Sequence, residues 1–111
     1  MTVNELKNNP RYDYKCSINP DEYIGNDSYD EWGVSGASIA FLGTDIGVEY
    51  NICMDTGENY SAIYYMEIGE DGYMETDYNK FIHYEIDFSN DDWEKELEDA
   101  MCKAMIELHN L

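Results

Sequence analysis

Residues 46–54 read Ile46-Gly47-Val48-Glu49-Tyr50-Asn51-Ile52-Cys53-Met54. Ile46, Val48, Tyr50, Ile52 and Met54 alternate with Gly47, Glu49, Asn51, Cys53 and then Asp55. Successive side chains on a strand point to opposite faces, so this period of two predicts a strand with one apolar face. Upstream, Ala37–Leu42 is short and apolar, and Gly43-Thr44-Asp45 supplies a turn. Downstream, Asp55-Thr56-Gly57-Glu58-Asn59 suits a hairpin loop, and Tyr60–Ile68 follows with the aromatic and β-branched residues that strands favour. Gly69-Glu70-Asp71-Gly72 turns the chain again. Phe81–Phe88 then predicts a further strand, with Ile82, Tyr84, Ile86 and Phe88 on one side and His83, Glu85 and Asp87 on the other.

The flanks complete the fold. Tyr12, Tyr14, Cys16 and Ile18 alternate with Asp13, Lys15 and Ser17, a strand pattern, and Thr2 or Asn4 can start a short helical turn through Leu6. Pro10 and Pro20 interrupt regular structure, and Asp21–Gly33 reads as an acidic, aromatic loop. At the other end, Ser89 stands where an N-cap belongs, Asp92 follows three residues later, and Phe88 and Trp93 hold the positions of a hydrophobic staple. Trp93, Leu97, Ala100, Met101, Ala104, Leu108 and Leu111 fall on one helical stripe, with Glu94, Glu98 and Asp99 largely opposite. The expectation is an α+β fold, an antiparallel sheet of about four strands with a C-terminal helix packed on one face. The whole reads as one domain: an irregular, Tyr-rich acidic segment over 1–36, a β-meander over 37–88 and the helix over 89–111.

Charge narrows the function. Six Lys and Arg face 25 Asp and Glu in 111 residues, a formal net charge of -19. Positions 16–79 contain no Lys or Arg at all. Affinity for a phosphate backbone needs cations, so direct nucleic-acid binding is disfavoured, and an anionic lipid surface repels such a chain. A magnitude of about 2–8 suffices for solubility, and the excess works against the compact state by self-repulsion. No apolar run reaches the ~20 residues that cross a bilayer, and Met1–Lys7 lacks the apolar centre of a secretion signal. Cys16, Cys53 and Cys102 are odd in number and widely spaced, which reads as reduced, core-type thiols in a cytoplasmic protein.

Chemistry-bearing motifs are scarce. His83 and His109 form no constellation with a nucleophile, and His109 near a helix C-terminus has an electrostatic rationale of its own. There is no Cys-x-x-Cys, no His-Glu-x-x-His and no phosphate-binding glycine loop. Asp27–Glu31 and Glu70–Gly72 are acidic but lack the ligand spacing of a calcium loop. The expectation is a non-enzyme with no cofactor and no specific metal.

Spacing carries more than the total. Alternate residues on a strand lie about 6.6–6.8 Å apart on one face, close to the separation of successive phosphates. Glu85 with Asp87, and Glu49 with Asp55, share strand faces in this reading. The expected partner-binding residues are a first cluster of Glu67, Glu70, Asp71, Glu75 and Asp77 with Tyr73, and a second of Asp27, Asp30 and Glu31 with Trp32. Exposed aromatics beside charges suit interface hot spots, and Tyr23, Tyr29, Tyr60 and Tyr78 are further candidates. The opposite reading, that most of the 11 Tyr residues fill the core, stands beside it.

A small acidic α+β chain with no active-site motif, opening Met1-Thr2-Val3-Asn4-Glu5-Leu6 and carrying acidic turns, resembles phage-encoded DNA-mimic inhibitors of the anti-CRISPR type. The resemblance covers general character, and no functional residue is carried over from it. It implies competition for a DNA-entry surface on a basic nuclease, a CRISPR effector or a restriction enzyme, in the cytoplasm of the host cell. Two other functions fit the same composition: an immunity protein or antitoxin that neutralises a basic toxin, and a scaffold or subunit that dimerises through the helix stripe.

Overall fold

The computed structural model describes residues 1–20, 34–52 and 61–111. Helix α1 (Val3–Lys7) is followed by strands β1 (Tyr12–Cys16), β2 (Val34–Phe41), β3 (Gly47–Ile52), β4 (Ala62–Ile68) and β5 (Met74–His83), and by helix α2 (Trp93–Leu108). The strands form one antiparallel sheet in the order β1-β2-β3-β4-β5. The sheet therefore has five strands rather than about four. The added strand is the Tyr12 segment, which joins the meander because Tyr12, Tyr14 and Cys16 lie opposite Phe41, Ile39 and Ala37.

One sheet face carries the core. Ala37, Ile39 and Phe41, Val48, Tyr50 and Ile52, and Ile63 are buried, and α2 covers them with Leu97, Met101, Cys102, Ala104, Met105 and Leu108. The buried face of α2 is wider than the predicted stripe, taking in Cys102 and Met105. The reason lies in its flank: the Tyr12 hydroxyl reaches Cys102 Sγ at 3.6 Å, and α1 packs alongside. Burial pushes the Cys102 thiol up. Tyr50 is fully buried and meets Tyr84 edge-on at 5.9 Å. Its phenol is pushed up to about 12, first by burial.

The ends of the elements have local causes. Thr2 caps α1 through a capping box: the Glu5 N–H donates to Thr2 Oγ1 and the Thr2 N–H to Glu5 Oε1, both at 3.2 Å. So short a helix cannot stand alone in water. It is held by fully buried Leu6 and by Lys7, whose ammonium lies 2.6 Å from Asp99 and 3.8 Å from Glu98 on α2. The Asp99 hydrogen bond raises the Lys7 pKa. A raised folded pKa means the tether stabilises fully below the ordinary lysine value, about 10.4, and is lost as pH rises through the folded value. Lys7→Met is therefore expected to lower the thermal midpoint at neutral pH, and the gap from the parent protein should close in melts run above that range.

Two expectations need correction. The last strand is Met74–His83, not Phe81–Phe88. Ile82, Tyr84, Ile86 and Phe88 do face the core and His83, Glu85 and Asp87 are exposed, but strand pairing stops at His83. Helix α2 starts at Trp93 with Asp92 as N-cap, so Ser89 is not the cap. Asp87 captures Ser89 instead, accepting from both its N–H and its hydroxyl, and these bonds lower the Asp87 pKa. Phe88 and Trp93 still meet, at 5.4 Å, across the turn that precedes the helix. The predicted loop Asp55–Asn59 lies outside the described residues. Among the described residues, no helix is long and apolar enough to cross a membrane.

Candidate functional site: an acidic hairpin beyond the helix

The β4–β5 hairpin holds the whole first cluster. Its register places Glu67 opposite Glu75 and Tyr65 opposite Asp77, so Glu67, Glu75 and Asp77 share the face on which α2 lies. Glu70 and Asp71 occupy the turn between the strands. The turn closes with Gly72 at φ 82, a left-handed conformation that suits glycine, and Asp71 Oδ1 accepts from the Tyr73 N–H at 3.1 Å. Asp71 thus shapes the tip as well as charging it. Tyr73 is 75% exposed there.

Helix α2 stops short of these acids. His109, its C-cap residue, stacks on the Tyr65 ring at 4.2 Å, and its Nε2 lies 2.7 Å from the Gly47 carbonyl oxygen. The same Nε2 also lies 3.2 Å from the Gly47 backbone nitrogen, so the ring tautomer decides whether it donates to the carbonyl or accepts from the N–H. Gly47 is tightly enclosed: a Cβ there would stand 2.8 Å from Met74 Cε and 3.1 Å from the Ile39 carbonyl oxygen. Glu67 and Glu75 lie one same-face position beyond Tyr65 and are exposed. The last turn of α2 holds no Lys or Arg, so the negative end of its dipole adds to the same corner. His109→Ala removes the stack and the Gly47 bond, and is expected to cost about 1–2 kcal/mol in chemical denaturation.

Strand β5 brings one cation, Lys80, into this region. Between Tyr64 and Tyr65 the β4–β5 register shifts, and Tyr78, Asn79 and Lys80 form a bulge, shaped by the Asn79 N–H donating to Asp77 Oδ1 at 2.9 Å. Lys80 Nζ settles 4.0 Å from the Tyr65 ring centre. The Tyr65 phenol is raised first by burial and then by Glu67, with Asp45 and Asp77 adding to the effect. Asp45, from the β2–β3 turn, thereby joins the acidic corner. Its sequence context identifies it only as a turn residue, because nothing local says which turn lies beside which hairpin.

The opposite face of the sheet is different in kind. Tyr64 lies across from Glu49 on one side and Phe81 on the other, and Met66 and Ile68 lie across from Thr76 and Met74. The Tyr64 ring meets Tyr78 at 5.2 Å and Phe81 at 5.5 Å. The Thr76 hydroxyl donates to Glu49 Oε2 and fixes that carboxylate.

The remaining candidates divide. Asp27, Asp30, Glu31 and Trp32, with Tyr23, Tyr29, Tyr60, Cys53 and Asp55, lie outside the described residues. Glu85 and Asp87 are exposed, Asp87 being tied to Ser89. Among the described residues, no three of His, Cys, Asp and Glu converge to hold a metal ion. A recess of about 270 Å³ between β1 and β2, lined by Lys15, Cys16, Ser17, Gly36, Ala37 and Ser38, lies away from the acidic hairpin. No protein-family model, curated protein or solved structure matches the chain.

Proposed function

We propose that the protein is an acidic inhibitor that occupies the nucleic-acid groove of a basic protein, a nuclease effector of the CRISPR or restriction kind, within the host cytoplasm. The observation that carries this reading is the hairpin face bearing Glu67, Glu75 and Asp77, with Glu70 and Asp71 at its tip and Lys80 docked on a ring nearby. Cross-strand neighbours sit about 4.5–5.5 Å apart and same-face neighbours about 6.8 Å apart, a pitch that suits cations arranged for phosphates.

The directly opposed pair Glu67 and Glu75 supports the reading further. Like charges across a strand pair are destabilising, so a row kept in this form weakens its own hairpin. A binding role explains why it is tolerated. Opposite fields speed encounter, and salt weakens the complex. Salt also relieves the chain's self-repulsion. Raising ionic strength is thus expected to raise the melting temperature of the free protein while loosening its complexes.

The test is retention and displacement. The immobilised protein is exposed to a bacterial lysate freed of nucleic acid, then washed with duplex DNA at constant ionic strength. Basic nucleic-acid-binding proteins should be retained at low salt and released by the DNA. Retention that DNA does not reverse would count against the proposal.

A further inference from the structure

We infer that the face of the sheet opposite the acidic row carries a site for one arginine side chain of the basic partner, built from Glu49 and the rings of Tyr64, Tyr78 and Phe81. This inference rests on the proposed function, since it names what that partner presents. Glu49 and Tyr64 are directly opposed across β3 and β4, and Tyr64 and Phe81 across β4 and β5, so the carboxylate and the rings form one continuous row. Tyr78, thrown out by the bulge, closes on Tyr64 from the side. Tyr78 is 63% exposed and Phe81 49%.

Three features call for a cation, and the second of them selects a guanidinium. Glu49 is half-buried and already positioned by the Thr76 hydroxyl, yet among the described residues, which include all six Lys and Arg, no cation pairs with it. A carboxylate beside aromatic faces takes a group that stacks flat on a ring while donating N–H bonds at its edge, which arginine does and lysine does not. The same hairpin also seats a cation on a tyrosine on its other face, where Lys80 lies over Tyr65. The net charge of -19 argues against a second copy of the chain as occupant. An uncharged apolar partner would leave Glu49 buried without a counter-charge.

The experiment compares nona-arginine with nona-lysine peptides by fluorescence anisotropy at several salt concentrations. The parent protein should bind the arginine peptide about tenfold more tightly. Glu49→Gln, and separately Tyr78→Leu with Phe81→Leu, should bring that preference close to unity while leaving the lysine peptide within about twofold. Tyr78→Phe with Phe81→Tyr keeps the ring faces and should keep the preference, and thermal melts establish that each variant is folded. Equal affinity of the parent for both peptides, or a preference unchanged in the folded variants, overturns the arginine site and leaves the acidic row intact. Failure of both peptides to bind overturns the proposed function and this site together.

Discussion

Glu67→Lys is expected to stabilise the fold and weaken partner binding in a single substitution. In the free protein it turns the like-charged pair with Glu75 into an ion pair across β4 and β5, a gain of about 0.5–1 kcal/mol. In the complex it places a cation where the partner's groove requires an anion. Extending the change to Glu67→Lys, Glu75→Lys and Asp77→Lys raises the net charge by six, because each reversal moves two units. The triple variant should lose at least about 100-fold in affinity, some 2.7 kcal/mol, and its affinity should depend less steeply on salt. Thermal melts and titrations against a nona-lysine peptide read the two effects separately. A triple variant that binds as the parent does removes the acidic row from the mechanism. Loss of both binding and fold is not expected, because Glu67 and Glu75 are exposed and Asp77 lies at the hairpin's edge strand.

Leu97→Ala should produce the largest loss of stability. Leu97 is fully buried at the start of the α2 stripe, within the cluster that includes Ile39, Val48, Tyr50 and Met101. Truncating such a side chain removes its transfer free energy and leaves a cavity that relaxes only in part, about 2–5 kcal/mol. A domain of this size has about 5–15 kcal/mol in all, and each kcal/mol moves the midpoint by about 4–8 °C. A fall of at least about 8 °C is therefore expected by circular dichroism. Binding of the folded fraction to the nona-lysine peptide should persist, because the acidic hairpin extends past the helix that Leu97 anchors.

The two helices and the strands before β5 were legible because their patterns are driven by burial. Tyr50, Val48 and Ile52 alternate because one face of β3 meets the helix. The last strand was misplaced for the same reason. Tyr84, Ile86 and Phe88 pack their alternating side on the core while the chain there is extended beyond the end of β5, and among the described residues its tie to the start of β4 is the Tyr84 N–H donating to the Ser61 carbonyl. Alternation reports which side is buried, not which backbone is paired. Met74–His83 hides its strand in two ways: Glu75 and Asp77 are polar on the core face because α2 stops short of them, and the three-residue bulge breaks the period. Of the first acidic cluster, Glu67, Glu70 and Asp71 are legible as a strand end and its turn, and Glu75 and Asp77 join them through the strand that the sequence hides. Asp45, Glu49 and the aromatic row gain their neighbours from the order of strands, which local sequence does not encode. Ser89 misled because Asp87, two residues earlier, competes for its hydroxyl and N–H.

The central claim is that the hairpin's carboxylates stand in for a polynucleotide, and the most direct measurement is a competition. A nuclease or other DNA-binding protein retained on the immobilised chain is titrated with labelled duplex DNA at fixed ionic strength, in the presence of increasing amounts of this protein. The account predicts that the apparent Kd for DNA rises in proportion to inhibitor while saturation is still reached, and that the Glu67, Glu75 and Asp77 triple reversal abolishes the effect. A ternary complex with DNA, or a saturation level that falls while the Kd stays constant, would contradict it.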